Sequence, residues 1–230
     1  MTFGLEKEHT TIWLGQIRVD EPMAAITDFT VALVCWYAYY KLSKLENKTI
    51  VTQLYRYYFL FMGIGTALGA IVGHAFLYAL GDYWRFVGWI FGMVSITLFE
   101  RAAIVHAKPI MRPFWRRFFG TLNLIELAIF IFFACYTLNF KFVEAHAIYG
   151  LLLVVMIFEG YVYTQTKDKG SKTILLAILS TISALLLHVF KFSFSKWFNY
   201  FDMGHIIMAI SAYIFYIGIK NTKIYPNKFV

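Results

Sequence analysis

Residues 173–189 read TILLAILSTISALLLHV, a stretch without a single aspartate, glutamate, lysine or arginine. A helix needs about 20 mainly apolar residues to cross the hydrocarbon core of a bilayer, with a range of roughly 17–25. The stretch is therefore typical of a transmembrane helix. Applied along the chain, the same criterion predicts seven crossings, at residues 22–40, 57–80, 84–105, 118–138, 144–163, 173–189 and 198–219.

The composition of the chain agrees with lipid as its solvent. Of its 230 residues, 60% are hydrophobic and 15% are charged, whereas soluble domains average roughly 45–50% and about 25%. We predict an all-α, polytopic membrane protein with a bundle of seven transmembrane helices. Its parts would be an outer interfacial segment (1–21), a membrane domain (22–220) and a cytoplasmic tail (221–230). The outer segment is either an interfacial segment or lid, or a plain polar tail with a few anchors.

Lysine and arginine are concentrated on one side of the predicted membrane. Because cytoplasmic loops carry an excess of these residues, we predict an N-terminus outside the cytoplasm and a C-terminus inside it. The cytoplasmic side holds fifteen of the 21, namely Lys41, Lys44, Lys48, Arg56, Arg101, Lys108, Arg112, Arg116, Arg117, Lys167, Lys169, Lys172, Lys220, Lys223 and Lys228.

The net charge of +8 could suggest a nucleic-acid partner. The basic residues lie between apolar runs and not on one soluble face, so we predict the lipid bilayer as the partner and no nucleic acid. The residues before Pro22 include six charged side chains and no apolar core. We therefore expect no cleaved signal peptide, with the first helix directing insertion, and a location in a bacterial inner (plasma) membrane.

Ionisable residues within the predicted spans are concentrated near the outer surface. A charged side chain at the centre of a membrane helix costs about 2.5–3.5 kcal/mol on insertion scales, so such residues usually face a cavity or a partner. Odd-numbered spans run from outside to inside, which brings a set of titratable residues to the outer layer. They are Asp28, His74, Asp82, Glu144, His146, His188, Asp202 and His205.

Asp202 and His205 are three residues apart and therefore share one helix face. This spacing lets a carboxylate and an imidazole reach one metal ion, or lets the carboxylate orient the ring; an interfacial helix cap is the alternative. For Glu126 and Glu159, inside spans four and five, we expect packing roles with asparagine, lysine or tyrosine partners. A charge cluster at the cytoplasmic end of span three is formed by Glu100, Arg101 and His106.

Two segments resemble the alkaline ceramidases, which belong to a superfamily of membrane hydrolases that includes the progestin and adiponectin receptors. Residues 204–213 read GHIIMAISAY and are similar to the last helix of that family; His74 and Asp82 lie near the end of span two and the start of span three. The resemblance implies zinc bound by His74 and His205. The family's second histidine and its serine are replaced by Phe201 and Ala70.

Four functions remain open from the sequence, the last being a transporter or channel, for which no broken helix or inverted repeat is evident. The first is a zinc-dependent intramembrane hydrolase of a lipid amide, with Asp202 or His188 as third ligand and Asp28 or Asp82 as general base or hydrogen-bond partner. The second is a non-catalytic receptor or lipid-binding relative. The third is a haem b electron carrier in which His74 pairs with His188 or His205.

Overall fold

The computed structural model describes residues 10–46 and 49–226, except for the side chain of Asp82. A hairpin of two short strands, β1 (Thr11–Leu14) and β2 (Ile17–Asp20), precedes the helices. In the described residues the helices are α1 (Pro22–Ser43), α2 (Ile50–Leu68), α3 (Leu77–Leu80), α4 (Asp82–Ala107), α5 (Pro113–Thr137), α6 (Lys141–Ile148), α7 (Met156–Thr166), α8 (Lys169–Phe190) and α9 (Tyr200–Lys220). A first π-helical segment (Gly69–Ala75) continues α2, a second (Tyr149–Val155) joins α6 to α7, and a 3-10 turn (Lys108–Ile110) extends α4.

Six helical stretches of the described chain are long and apolar enough to cross a membrane. The protein is therefore an all-α, polytopic membrane protein apart from its hairpin. The first helix, α1, is not among the six, and Asp28 and several tyrosines lower its hydropathy. The six stretches are Ile50–Ala75, Tyr83–Ile110, Pro113–Thr137, Lys141–Thr166, Lys169–Phe190 and Tyr200–Lys220.

Three helices begin earlier than hydropathy predicts. Helix α2, the second predicted span, begins at Ile50 and not near residue 57. Helix α5, the fourth span, begins at Pro113 and not near 118, and helix α8, the sixth span, begins at Lys169 and not near 173. Each added turn carries polar or basic residues, which lower hydropathy without breaking a helix. Capping explains two of these starts, since the Thr49 side chain accepts a hydrogen bond from Thr52 and Asp168 accepts two from Gly170 and Ser171.

Helix α4 lies at the centre of the bundle and packs against α2, α5 and α7, while α9 packs against α1 and α8. A Cβ at Gly65 of α2 would lie 3.0 Å from the backbone nitrogen of Gly92 in α4. Small residues at such a contact let two membrane helices approach closely, which compensates for the weak hydrophobic drive between helices in lipid. This close contact positions the first π-helical segment against the bundle.

The hairpin forms part of the outer segment predicted for residues 1–21, of which residues 1–9 lie outside the described part of the chain. Thr11 pairs with Asp20 in antiparallel register, and Gly15 opens the two-residue turn with a φ of +65°. The Tyr78 hydroxyl donates a hydrogen bond to the carbonyl of Arg18 at 2.9 Å, and the Arg18 guanidinium lies over the Tyr78 ring. The hairpin is thereby anchored to the short helix α3.

Candidate metal centre

Three ionisable side chains converge from three separate helical elements. Asp28 comes from α1, His74 from the first π-helical segment and His205 from α9; one potential ligand atom from each lies within 4.8 Å of the others. The two imidazole rings are 5.6 Å apart between centroids and stand edge to face. This group could hold a metal ion.

The ring of His74 is oriented by a carboxylate. Its Nδ1 lies 2.7 Å from Oε2 of Glu21, the residue that precedes α1. A carboxylate oxygen accepts, so Nδ1 is the donor, and in the neutral ring the lone pair is on Nε2. Glu21 has a left-handed backbone (φ 43°, ψ 51°), which costs of order 1–3 kcal/mol for a residue other than glycine and is found most often at functional sites.

The ring of His205 is oriented in a similar way. Its Nδ1 lies 3.1 Å from Oγ1 of Thr27, and the Thr27 hydroxyl donates its only proton to backbone carbonyls, the nearer being that of Met23 at 2.9 Å. When the hydroxyl donates to that carbonyl, Nδ1 of His205 is the donor and the lone pair of the neutral ring is on Nε2. Metal-ligating histidines typically donate the opposite ring nitrogen to a fixed acceptor, and both rings follow this pattern.

The carboxylate of Asp28 is buried, and no hydrogen bond to it occurs in the described part of the chain. It lies directly against Gly69, where a Cβ would come within 2.5 Å of Oδ2. A buried carboxylate without hydrogen bonds is costly unless a cation compensates it. The carboxylate of Asp28 and the two orienting acceptors suit a divalent cation.

A second group of potential ligands lies in α4, α5 and α6. Glu100, Glu126 and His146 are all buried, and one ligand atom from each lies within 4.8 Å of the others. This group could also hold a metal ion. Sequence reasoning missed it because three single residues on three helices share no spacing. The sequence feature that could have indicated this group is Glu126, a carboxylate in the middle of an apolar span.

Comparison with known proteins gives one match. A family model covers residues 23–223. The chain belongs to this family, a family of unknown function (DUF6962). No curated protein matches the chain, and no solved structure does. Both groups of potential ligands lie within the region that defines DUF6962, whose description assigns no activity.

Of the other predicted site residues in this DUF6962 chain, Asp202 caps a helix. Its Oδ2 accepts a hydrogen bond from the Asn199 backbone nitrogen at 2.6 Å, within a capping box at the start of α9. The interfacial cap considered for Asp202 is thus present, and its carboxylate is not part of the group around His205. Because Asp202 is the third residue of α9, its side chain reaches back to the preceding backbone.

His188 pairs with a carboxylate outside the group as well. Its Nε2 lies 3.1 Å from Oε1 of Glu144, and both side chains are more than a third exposed. The Phe201 ring lies 5.3 Å from that of His188 and 6.4 Å from that of His74. Phe201 therefore forms an aromatic wall between the two histidines. Asp82 begins α4, and its side chain lies outside the described part of the structure.

Another buried carboxylate, Glu159, is fully satisfied. It accepts hydrogen bonds from the hydroxyls of Tyr55 and Ser171, both at 2.6 Å, and lies 3.1 Å from Nδ1 of His106. The second nitrogen of His106 lies 2.9 Å from the carbonyl oxygen of Lys223. The tyrosine partner expected for Glu159 is present, and this network ties the C-terminal segment to the bundle without need of a ligand.

Proposed function

We propose that this chain is a zinc-dependent membrane hydrolase that cleaves an amide bond in a lipid of the ceramide type. The observation that carries the proposal is the convergence of Asp28, His74 and His205, with the ligand atoms within 4.8 Å of one another. Two imidazoles, one carboxylate and an open fourth position form the usual ligand set of a catalytic zinc site. The resemblance of residues 204–213 to the last helix of the alkaline ceramidases supports the same reading.

The proposal includes seven crossings, with the N-terminus outside and the C-terminus in the cytoplasm. Helix α1 has 22 residues, a length of about 33 Å at 1.5 Å per residue. It packs against α2 and α9, and Asp28, the acidic residue of this helix, is buried inside the bundle. A polar residue directed away from lipid is compatible with crossing. The distribution of lysine and arginine sets the direction.

In this arrangement each residue has a separate task. Asp28, His74 and His205 hold the metal, while Glu21 and Thr27 fix the two rings with Nε2 directed away from their acceptors. When bound, zinc would supply a water activated to a pKa near ~7 and would polarise the carbonyl oxygen of the lipid amide. The His74 and Glu21 side chains are 17% and 24% exposed, so the site remains open to a substrate.

A ligand-binding relative without catalytic activity is the second candidate. It is favoured by Ala70, which has no hydroxyl to contact a reacting carbonyl, and by Phe201, whose ring stands where the resembling family carries a ligand. The haem alternative fits the geometry less well. A porphyrin between His74 and His205 would have to occupy the space of the Asp28 carboxylate, which lies within 4.8 Å of both ligand nitrogens.

The test is hydrolysis of a fluorescent ceramide by the full chain in zinc-loaded nanodiscs. We expect release of the fatty acid, and we expect His205→Ala to abolish it. His188→Ala is the matched control, because this histidine pairs with Glu144 and not with the metal group. Zinc binding without turnover would favour the receptor alternative. Absence of zinc from the wild-type protein would refute both the metal site and the hydrolase.

A further inference from the structure

The group of Glu100, Glu126 and His146 has the spacing of a coordination site. Nε2 of His146 lies 3.2 Å from Oε1 of Glu126 and 4.0 Å from Oε1 of Glu100. Ligands bound tetrahedrally at about 2.0–2.2 Å from a metal are roughly 3.3–3.6 Å apart. A single ion between the three atoms therefore requires only small adjustments of the side chains.

Four polar atoms of this group lack partners, while Nε2 of His146 lies 3.4 Å from Oγ1 of Thr97. Both carboxylate oxygens of Glu126, together with Oε1 of Glu100 and Nδ1 of His146, are buried without a hydrogen bond. The other oxygen of Glu100 accepts from the Asn123 amide at 2.8 Å, which leaves Oε1 for the group. Although His146 lies close to Glu126, the contact does not have hydrogen-bond geometry. Several unsatisfied atoms at one place indicate that the protein atoms alone do not complete the group and that a further component binds there.

The charge of the group indicates what that component is. Glu100 and His146 are completely buried and Glu126 is 7% exposed, and in the described chain no lysine or arginine forms an ion pair with either carboxylate. Two ionised carboxylates buried together carry a large desolvation cost, several kcal/mol per ion, unless one of them is protonated or a cation binds both. A divalent cation would neutralise both and satisfy the unpaired oxygens.

The second π-helical segment leaves room for the Glu100 carboxylate. A Cβ at Gly150 would overlap Oε1 of Glu100 and the side chain of Ile96. The glycine therefore permits the carboxylate to lie against the backbone. His146 precedes this π-helical segment just as His74 lies within the first one, and π-helical turns occur frequently at functional sites.

We propose that Glu100, Glu126 and His146 bind a divalent first-row metal ion that fastens α5 to the rest of the bundle. Helix α5 has 25 residues, but the buried ones are Asn123, Glu126 and Ala134. Glu126 belongs to the group and Asn123 donates a hydrogen bond to Glu100, so α5 has little apolar burial to hold it in place. One imidazole and two carboxylates suit manganese, iron or zinc, and the absence of cysteine sulfur disfavours copper(I). Because its ligands are buried, the ion has a structural role.

Manganese alone is the probe, in the full-length His74→Ala/His205→Ala variant, which lacks the proposed zinc site. After chelation and reloading, we expect one equivalent of Mn²⁺ by elemental analysis, an EPR spectrum of bound Mn²⁺, and a higher Tm than in the metal-free protein. Glu126→Gln in that background should lose all three. Glu144→Gln is the matched control, since it removes a carboxylate two residues from His146 that pairs with His188.

The manganese-binding results support or overturn the proposed site as follows. Failure of the double-histidine variant to bind Mn²⁺ would overturn the proposal, even if Glu126→Gln does not fold. Equal binding by the Glu126→Gln and Glu144→Gln variants would overturn it as well. If the zinc site is wrong but this site is right, the wild type and the double-histidine variant will bind the same amount of metal. If only the zinc site is right, the double-histidine variant will be empty.

Discussion

Replacing Gly69 with alanine should disrupt the proposed zinc site without unfolding the protein. The new Cβ would lie 2.5 Å from Oδ2 of Asp28, and ordinary contact begins at 3.4 Å. The carboxylate would therefore have to retreat by about 0.9 Å, far more than the roughly 0.2 Å tolerance of a metal–ligand distance. Because Asp28 has a short side chain that can rotate, we expect the free energy of unfolding of the metal-free protein to change by less than about 1 kcal/mol.

We expect the zinc Kd of Gly69→Ala to rise at least tenfold and up to about 100-fold, the range found when groups that support a metal ligand are removed. In free energy this is about 1.4–2.8 kcal/mol. The assay is titration of detergent-purified protein against a fluorescent zinc chelator. Gly73→Ala is the control, because a Cβ at Gly73, in the same π-helical segment, has nothing within 4 Å. Equal zinc affinities for the two variants would refute the placement of Asp28.

Three further outcomes follow from the contacts. Glu21→Gln should weaken zinc binding about 10–100-fold by removing the carboxylate that orients His74, and an unchanged Kd in the same chelator titration would contradict this role. Glu159→Gln should lower the free energy of unfolding by about 3–5 kcal/mol, because it breaks the buried and fully bonded contact between Glu159 and His106. Denaturant unfolding in mixed micelles would measure this loss, and a change below about 1 kcal/mol would contradict the expected role of the contact. Tyr78→Phe should speed amide exchange in the hairpin about fivefold, since it removes one hydrogen bond worth about 1 kcal/mol, and unchanged exchange would show that the hairpin is held by other contacts.

The positions of the membrane helices could be predicted from the sequence because the length of an apolar run is tied to bilayer thickness. Helix starts were less accurate where polar residues continue a helix beyond the hydrocarbon, as at Ile50 and Pro113. The hairpin was missed, although a two-residue turn with glycine at its first position, Gly15-Gln16, is a known hairpin signal.

The composition of the candidate site was only partly accessible from the sequence. Depth in the membrane selected Asp28, His74 and His205, but it also selected Asp202 and His188. What separates these residues is the rotation of each helix about its axis, which is set by packing and not by hydropathy. The capping role of Asp202 is local and could be read from its spacing to Asn199.

The group of Glu100, Glu126 and His146 shows the limit of reasoning along the chain. Each residue has a plausible packing role when its own helix is considered. Their common feature, a set of carboxylate oxygens without partners, exists only after three helices have packed together. Periodicity within one helix carries no information about such a contact.

The most direct measurement is a zinc-edge anomalous difference map from crystals of the full chain grown with zinc. We predict a peak within about 2.2 Å of Nε2 of His74, Nε2 of His205 and a carboxylate oxygen of Asp28. A map with zinc elsewhere in the crystal and no peak between these three residues, or with either imidazole turned toward lipid, would contradict the proposed metal centre and the hydrolase built on it.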